Sequence, residues 1–153
     1  MRKLGQLGAS IAIVAAITGL LPGAPAFAGS TQGNERHEML LRTNVSRDSH
    51  GRSDVAMNRR ISKLVHRHSV WMASTGKFEH TQNPGSAYLQ GMPWRCWGEN
   101  IAVSGGTMRD VEKAFMASSE HKANILNSCF RHVAIGVYRD GDGAAWVTVF
   151  FYG

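Results

Sequence analysis

The sequence lacks several features that would place it in a large functional class. Its 153 residues contain no internal repeat, no low-complexity tract and no second hydrophobic stretch of membrane length after the N-terminal one. The basic residues are scattered, whereas a nucleic-acid-binding surface normally carries a dense basic stripe. No histidines or cysteines have the spacing of a zinc finger or of a His-Glu-x-x-His motif. We therefore expect no nucleic-acid partner and no metal centre of those two types.

The N-terminal segment is typical of a secretory signal. Arg2 and Lys3 precede an apolar run at residues 11–21, and Ala26-Phe27-Ala28 forms a small-x-small cleavage site. We expect cleavage after Ala28, which makes residues 1–28 a signal peptide and residues 29–153 a secreted, extracellular domain. An uncleaved anchor is the alternative, but a bilayer span takes roughly 20 apolar residues. We therefore expect no membrane span after signal cleavage.

Composition limits the remaining 125 residues to one ordinary domain. The first 28 residues hold two of the 17 Lys and Arg residues and none of the 11 acidic ones, which leaves a net charge of +4. This mild positive charge indicates either solubility alone or a loose attraction to anionic envelope polymers or lipid headgroups.

The chain has two cysteines, Cys96 and Cys129. In an oxidising compartment an even count indicates a disulfide, and a closed loop of about 30 residues would stabilise the fold by about 3 kcal/mol. A free thiol nucleophile is the alternative. It needs an adjacent base, and the nearest candidate in the sequence is His132.

Hydrophobic spacing predicts helices first and a hairpin last, which favours an α+β fold. Helices are expected at 34–45, at 54–74 with Ser53 or Asp54 as N-cap and Gly76 as the end, from Thr107, and from Ser118 or Ser119 to Leu126. Residues 47–53 are expected to be a polar loop and 77–97 a long connection. Strands are expected at 133–138 and 146–152, joined by a turn at 140–143. His68 falls on the apolar face of the second helix and is expected to be a hydrogen-bonded core residue.

Four polar and apolar motifs follow one another in a fixed order along the chain. They are Phe78-x-His80, Gly98-Glu99-Asn100-Ile101-Ala102, Phe115-Met116-x-Ser118-x-x-His121-Lys122-x-Asn124-Ile125-Leu126 and Ile135-Gly136-Val137. In this order they resemble the CAP superfamily, also called SCP, which includes cysteine-rich secretory, venom antigen and pathogenesis-related proteins. The resemblance is to the short bacterial secreted branch. It implies a three-layer α-β-α sandwich with a small antiparallel sheet.

The resemblance also implies a ligand-binding cleft, lined by His80, Glu99, Asn100, Ser118 and His121. In that cleft His80 and His121 would hold zinc or another divalent cation. Glu99 is the catalytic candidate, because it could orient a water or act as a base, and Asn100 would pin the backbone beside the cavity. Eukaryotic members carry a second Glu where this chain has Ser118, so a full His-Glu tetrad is not expected. Glu120 is the possible substitute.

Three function classes and one structural alternative stay open at this point, one of the three being a stress or defence factor that acts on a host or competitor through protein contact. The first is an extracellular binding module for a lipid, a cell-envelope component or a protein partner, with Trp94 and Trp97 lining an apolar groove or filling the core. The second is a metal- or Glu-assisted hydrolase of peptide or envelope substrates. Alternatively, His80, Glu99 and His121 form a buried hydrogen-bond network that only specifies the fold.

Overall fold

Five helices and four strands make up residues 28–153, the part of the chain that the computed structural model describes. The segment predicted to be a secretory signal lies outside this range except for Ala28, so its cleavage stays a prediction. No helix among the described residues is long and apolar enough to cross a membrane. In chain order the elements are α1 (Ala28–Asp48), β1 (Ala56–Met57), α2 (Arg59–Thr75), α3 (Pro84–Tyr88), β2 (Trp97–Ser104), α4 (Met108–Ala117), α5 (Ser119–Ile125), β3 (His132–Arg139) and β4 (Ala145–Tyr152).

Helix ends and turns that are fixed by hydrogen bonds or backbone conformation of neighbouring residues were predicted correctly. Thr107 caps α4 in a reciprocal capping box with Asp110. Gly76 ends α2 in the left-handed conformation, with φ of 67°. The turn at 140–143 joins β3 to β4, and Asp140 Oδ1 accepts hydrogen bonds from the backbone of Asp142 and Ala144. These ends are fixed by a few neighbouring residues, which is why the sequence alone locates them.

The predicted start of the second helix, near Asp54, is wrong. Asn58 is the N-cap of α2, because its side chain accepts a hydrogen bond from the backbone N–H of Ile61. The residues before it pair with β3 as the short strand β1. That pairing depends on residues more than 70 positions away in the chain, so the local pattern could not indicate it.

Two segments predicted to be irregular contain helix. The polar loop was predicted at 47–53, but α1 continues to Asp48 and buries Arg47. The predicted start of this loop is therefore too early. The connection at 77–97 contains α3, which starts with Pro84.

His68, in α2, is only half-buried. It bonds through Nε2 to the Glu79 carbonyl at 2.9 Å and stacks on Trp71, so its expected place in the core is wrong.

The four strands form one open sheet in the order β1-β3-β4-β2. The pairs β2·β4 and β3·β4 are antiparallel, as predicted for a small antiparallel sheet. Only β1 is parallel, and it pairs with β3 over two residues. Consequently β1 and β2 are the two edges of the sheet.

Helices cover both faces of the sheet, which confirms the α-β-α sandwich. Alternate strand residues point to opposite faces, so Ile135 and Phe151 pack against α1, α4 and α5. Their neighbours Ala134 and Phe150 pack against α2 and α3. Because both faces are buried, β3 and β4 are apolar nearly throughout.

Gly136 allows α2 to lie directly on the sheet. A Cβ at this position would come within 2.7 Å of the backbone of both Val65 and His66. Any side chain here would therefore push the helix away from β3. The glycine in the predicted Ile135-Gly136-Val137 motif is required by packing.

Glu112 is a buried acid in the interface between α1 and α4. Thr43 donates a hydrogen bond to its Oε2 at 3.3 Å, while Oε1 has no hydrogen-bond partner among the described residues. Burial raises the pKa of Glu112, and the hydroxyls of Ser46 and Thr43 oppose this only in part. The folded state therefore disfavours the ionised form of this carboxyl.

We expect Glu112→Gln to raise the free energy of unfolding at pH 7. A raised pKa penalises the folded state above the ordinary pKa of 4.5 and has no effect once the carboxyl is protonated in both states. The gain should therefore shrink as the pH falls toward about 4.5 and vanish below it, as measured by urea denaturation across a pH series. Asp110→Asn is the control for which the opposite change is expected. Hydrogen bonds from Thr107 lower the pKa of Asp110, so this substitution should lower the free energy of unfolding at pH 7. A loss of stability in Glu112→Gln at every pH would contradict the expectation.

Candidate functional site

Glu99, in β2, is the centre of the first half of the candidate site. Its side chain is 2% exposed, and its Oε1 accepts a hydrogen bond from the Thr81 backbone N–H at 2.8 Å. The same oxygen lies 3.0 Å from Nδ1 of His80. A carboxylate oxygen can only accept, so the network assigns the proton to Nδ1. This leaves Nε2 of His80 as a free lone pair on a side chain that is 25% exposed.

Thr81 and Tyr88 complete the support of this pair, and the sequence reasoning missed both. Their hydroxyls are hydrogen-bonded to each other, and the Tyr88 ring packs edge-on against Phe150 with centroids 4.9 Å apart. Burial raises the pKa of Tyr88, and the negative charge of Glu99 raises it further. Tyr88 therefore stays protonated. The one available signal was the position of Thr81 directly after His80.

Asn100 points to the opposite face of β2 from Glu99, because consecutive strand residues alternate. Its Nδ2 donates to the carbonyl of His121 at 3.1 Å. Asn124 donates to Asn100 Oδ1 at 2.8 Å and to the Glu99 carbonyl at 3.3 Å. These bonds tie α5 to β2, so one strand positions both histidines of the candidate site.

His121 forms the second half of the site from α5. It is 3% exposed, and its ring packs on Phe115 with centroids 5.0 Å apart. Its Nδ1 is buried and has no hydrogen-bond partner in the described part of the chain. Burial lowers the pKa of His121, and the electrostatic interaction with His80 lowers it further. Burial thus favours the neutral form of this imidazole.

Ser118 and Glu120 lie at the start of α5. Ser118 is the half-buried N-cap residue of α5, but its side chain makes no capping hydrogen bond. Glu120 has a buried Oε2 without a partner in the described residues. Among those residues, no three His, Cys, Asp or Glu side chains converge as a metal-binding group. Neither Glu99 nor Glu120 therefore joins the two imidazoles as a third ligand.

This donor set limits what kind of cation would fit. Structural zinc sites have four protein ligands and catalytic ones usually three, so two imidazoles do not make a closed zinc centre. They fit a partly open site, at which water or a bound ligand supplies the other donors. The carboxylate on His80 is the outer-shell partner that metal-bound histidines generally have, whereas His121 lacks one.

The predicted disulfide between Cys96 and Cys129 is confirmed, so the alternative of a free thiol nucleophile is wrong. It ties the residue before β2 to the connection between α5 and β3.

The two tryptophans near this bond differ in burial. Trp97 is half-buried and packs with the α2-side core, while Trp94 is 39% exposed. Both indole rings lie close to Gly85, where an added Cβ would come within 2.6 Å of Trp97. One tryptophan therefore fills the core and the other faces solvent.

Comparisons with known proteins agree with this architecture. The sequence model of the cysteine-rich secretory protein family, CAP, matches residues 40–152. The uncharacterized protein YkwD of Bacillus subtilis is 33% identical over 105 residues, which are 65% of this chain and 40% of that protein. An extracellular protein containing an SCP domain from Bacillus anthracis superposes with a TM-score of 0.74 at 22% identity, covering 87% of this chain and 45% of the other. The structure of NaASP2 with Zn²⁺ gives a TM-score of 0.57 at 14% identity, covering 84% and 83%. The chain thus spans less than half the length of the two Bacillus proteins.

Proposed function

Because this chain belongs to the cysteine-rich secretory protein (CAP) family, we propose that it is a secreted binding domain with its ligand site at the outer edge of β2. His80 and His121 would bind the ligand there, with a divalent cation such as zinc held between the two imidazoles. The ligand would be an extracellular lipid, cell-envelope component or protein.

The observation that carries this proposal is the pairing of Glu99 with His80. The carboxylate holds Nδ1–H at 3.0 Å, which fixes the tautomer and leaves Nε2 as the donor atom. A second bond, from the Thr81 backbone, holds the carboxylate itself. A histidine that only stabilised the core would not need a free lone pair on its partly exposed side.

His121 supplies the second donor by a different physical route. Its burial disfavours the imidazolium form, so the ring is neutral without a carboxylate partner. Metal binding requires neutral imidazole, and β2 positions both histidines, since Glu99 holds the His80 ring and Asn100 holds the backbone of His121. NaASP2, whose structure was solved with Zn²⁺, shares this fold, which makes zinc the first cation to test.

The donor set also indicates the chemistry of the ligand. A divalent cation with two protein ligands acts as a Lewis acid that accepts further oxygen donors. Phosphate, carboxylate and carbonyl oxygens meet this requirement, and lipids, envelope polymers and proteins all carry them. The ligand would complete the coordination shell rather than fill a closed apolar pocket.

The hydrolase alternative is less well supported by the geometry. Oε1 of Glu99 accepts from Thr81 and pairs with His80, which suits a positioning role better than that of a base. Its Oε2 is buried, so substrate or water would have to enter beside Tyr88. Turnover of peptide or envelope substrates that is lost in Glu99→Gln would favour the hydrolase instead.

We expect the full-length secreted protein to bind one Zn²⁺ per chain in calorimetry at pH 7. His80→Ala and His121→Ala should each remove measurable binding, because each takes away one of the two donors. Glu99→Gln should weaken binding by about 10- to 100-fold, the usual effect of losing an outer-shell partner. Affinity should also fall in acid, because metal binding requires neutral imidazole.

His132→Ala is the matched control, because His132 is exposed and stacks on Tyr152 away from the site. It should bind Zn²⁺ like the wild type. If the wild type takes up no cation and His80→Ala with His121→Ala only lowers the thermal midpoint, the two histidines form a structural network and the proposal fails.

A further inference from the structure

A cavity lies at the opposite edge of the sheet from the two histidines. It has a volume of about 350 Å³ between α1 and α2, next to the edge strand β1. Its lining includes Arg36 and His37 from α1, Met57 from β1, and Arg59, Ser62 and Lys63 from α2. None of the lining residues in the described part of the chain is acidic. The cavity is therefore basic and lies outside the CAP-like cleft.

The base of this cavity is rigid. Ser62 is 1% exposed, and its hydroxyl donates to the Asn58 carbonyl at 2.8 Å. The same oxygen accepts the backbone N–H of Ile135 at 3.1 Å, which fixes the start of α2 to β3. The basic side chains at the rim are thus mounted on a fixed backbone, as a recognition site requires.

The charges at this place are unfavourable in the absence of a ligand. Arg59 and Lys63 are four residues apart on one helix, a spacing at which like charges repel. They lie in the first turns of α2, where the helix dipole also disfavours positive charge, and the first turn contains no acidic residue. Neither side chain forms an ion pair within the described part of the protein. A bound anion would relieve all of these repulsions.

At the start of helix α4, an acidic residue compensates a similar pair of basic residues. Arg109 and Lys113 have the same four-residue spacing at the start of α4. There Asp110 lies between them; hydrogen bonds from Thr107 lower its pKa, and the positive charges of Lys113 and Arg109 lower it further. The start of α2 differs in having no such acid and in facing a cavity. We regard this difference as the mark of a binding site rather than of a solvated helix face.

The structure assigns to this cavity the binding of a phosphate group, as a free phosphate ester or as part of a lipid headgroup. Guanidinium groups bind phosphate oxygens in bidentate fashion, and Arg36 and Arg59 approach from two different helices. Lys63 adds a point charge, the His37 ring adds a nitrogen, and Met57 provides an apolar wall for the carbon next to the ester.

The test compares two matched double variants of the full chain by calorimetry with glycerol 3-phosphate at low salt. Arg59→Gln with Lys63→Gln should weaken binding at least tenfold, because it removes two charge-assisted contacts. Arg109→Gln with Lys113→Gln, which removes the same charge from α4, should change it less than twofold. Equal losses in the two variants would show attraction by net charge alone and would overturn the assignment, as would no binding by the wild type.

Thermal unfolding without phosphate separates lost binding from lost folding. Arg59→Gln with Lys63→Gln should unfold at the same temperature as the wild type or higher, because repulsion is removed. Phosphatidylglycerol vesicles, with phosphatidylcholine vesicles as the neutral comparison, identify the source. If only the α2 variant, Arg59→Gln with Lys63→Gln, loses vesicle binding, the result supports a lipid headgroup. If the protein binds glycerol 3-phosphate but not the vesicles, the result supports a free ester. Vesicle binding that survives in the α2 variant would contradict a headgroup at this cavity.

Discussion

We expect Arg47→Met to lower the free energy of unfolding by roughly 3–5 kcal/mol. Arg47 is completely buried in the last turn of α1. Its guanidinium donates to the carbonyls of Ser53, Ile125, Asn127 and Phe130, so it joins the loop after α1 to the connection after α5. No carboxylate forms an ion pair with it among the described residues.

The size of this effect follows from how the charge is stabilised. Burial lowers the pKa of Arg47, and Arg131 and Arg52 lower it further, with only Asp54 acting in the opposite sense. The carbonyl dipoles therefore carry most of the compensation. Methionine fills much of the volume but leaves those carbonyls without their donor, and each unsatisfied buried group costs about 1–3 kcal/mol.

Urea denaturation of three variants checks this expectation. Arg47→Lys should lose some stability, because a single ammonium cannot reach carbonyls on two sides as a planar guanidinium does. The loss should be smaller than that of Arg47→Met, because lysine can still donate to some of these carbonyls. Arg52→Met is the matched control, because Arg52 is exposed, and it should stay within about 0.5 kcal/mol of the wild type. If Arg47→Met unfolds like this control, Arg47 is not the link between the two segments.

The second large effect is expected from removing the disulfide. Cys96 and Cys129 are 33 positions apart, and closing a loop of this length stabilises the folded state by about 3–4 kcal/mol in the chain-entropy model. We expect Cys96→Ala with Cys129→Ala to lose about that much unfolding free energy. The bond lies three residues before Glu99, so the start of β2 should also exchange its amide hydrogens faster.

The wild type under reducing conditions is the internal check on this double variant. A thiol reductant should bring the wild-type denaturation midpoint down to that of the variant and leave the variant unchanged. A wild-type midpoint that does not respond to reductant under unfolding conditions would contradict the expected contribution of the bond.

The parts of the fold that could be predicted are those whose cause is local. Thr107 and Gly76 determine helix ends within one turn, and β3 and β4 are recognised from two continuous apolar runs with a turn between them. Arg47 and β1 could not be predicted in this way. Arg47 was expected in a polar loop, because three of its four acceptor carbonyls lie in a segment about 80 residues away. Strand β1 consists of two residues that exist as a strand only beside β3.

The same distinction applies to the candidate site. The motifs indicated which residues to examine, and strand alternation is enough to place Glu99 and Asn100 on opposite faces of β2. The roles of Thr81 and Tyr88 could not be predicted, because their bonds depend on the path of the 77–97 connection. Whether a third ligand joins the two histidines is also a matter of spatial arrangement, which sequence order does not contain, and none does so among the residues that the structure describes.

The alternation of Glu99 and Asn100 has a consequence for how this strand can change in evolution. Glu99 holds a cleft histidine on one side of β2, and Asn100 holds the backbone of α5 on the other. Substitutions can tune either function separately. An insertion or deletion of one residue before this pair would shift the strand by one place and exchange the two faces, so that both functions would be lost together. Length variation should therefore accumulate in turns such as 140–143, while β2 keeps its length and varies only in side chains.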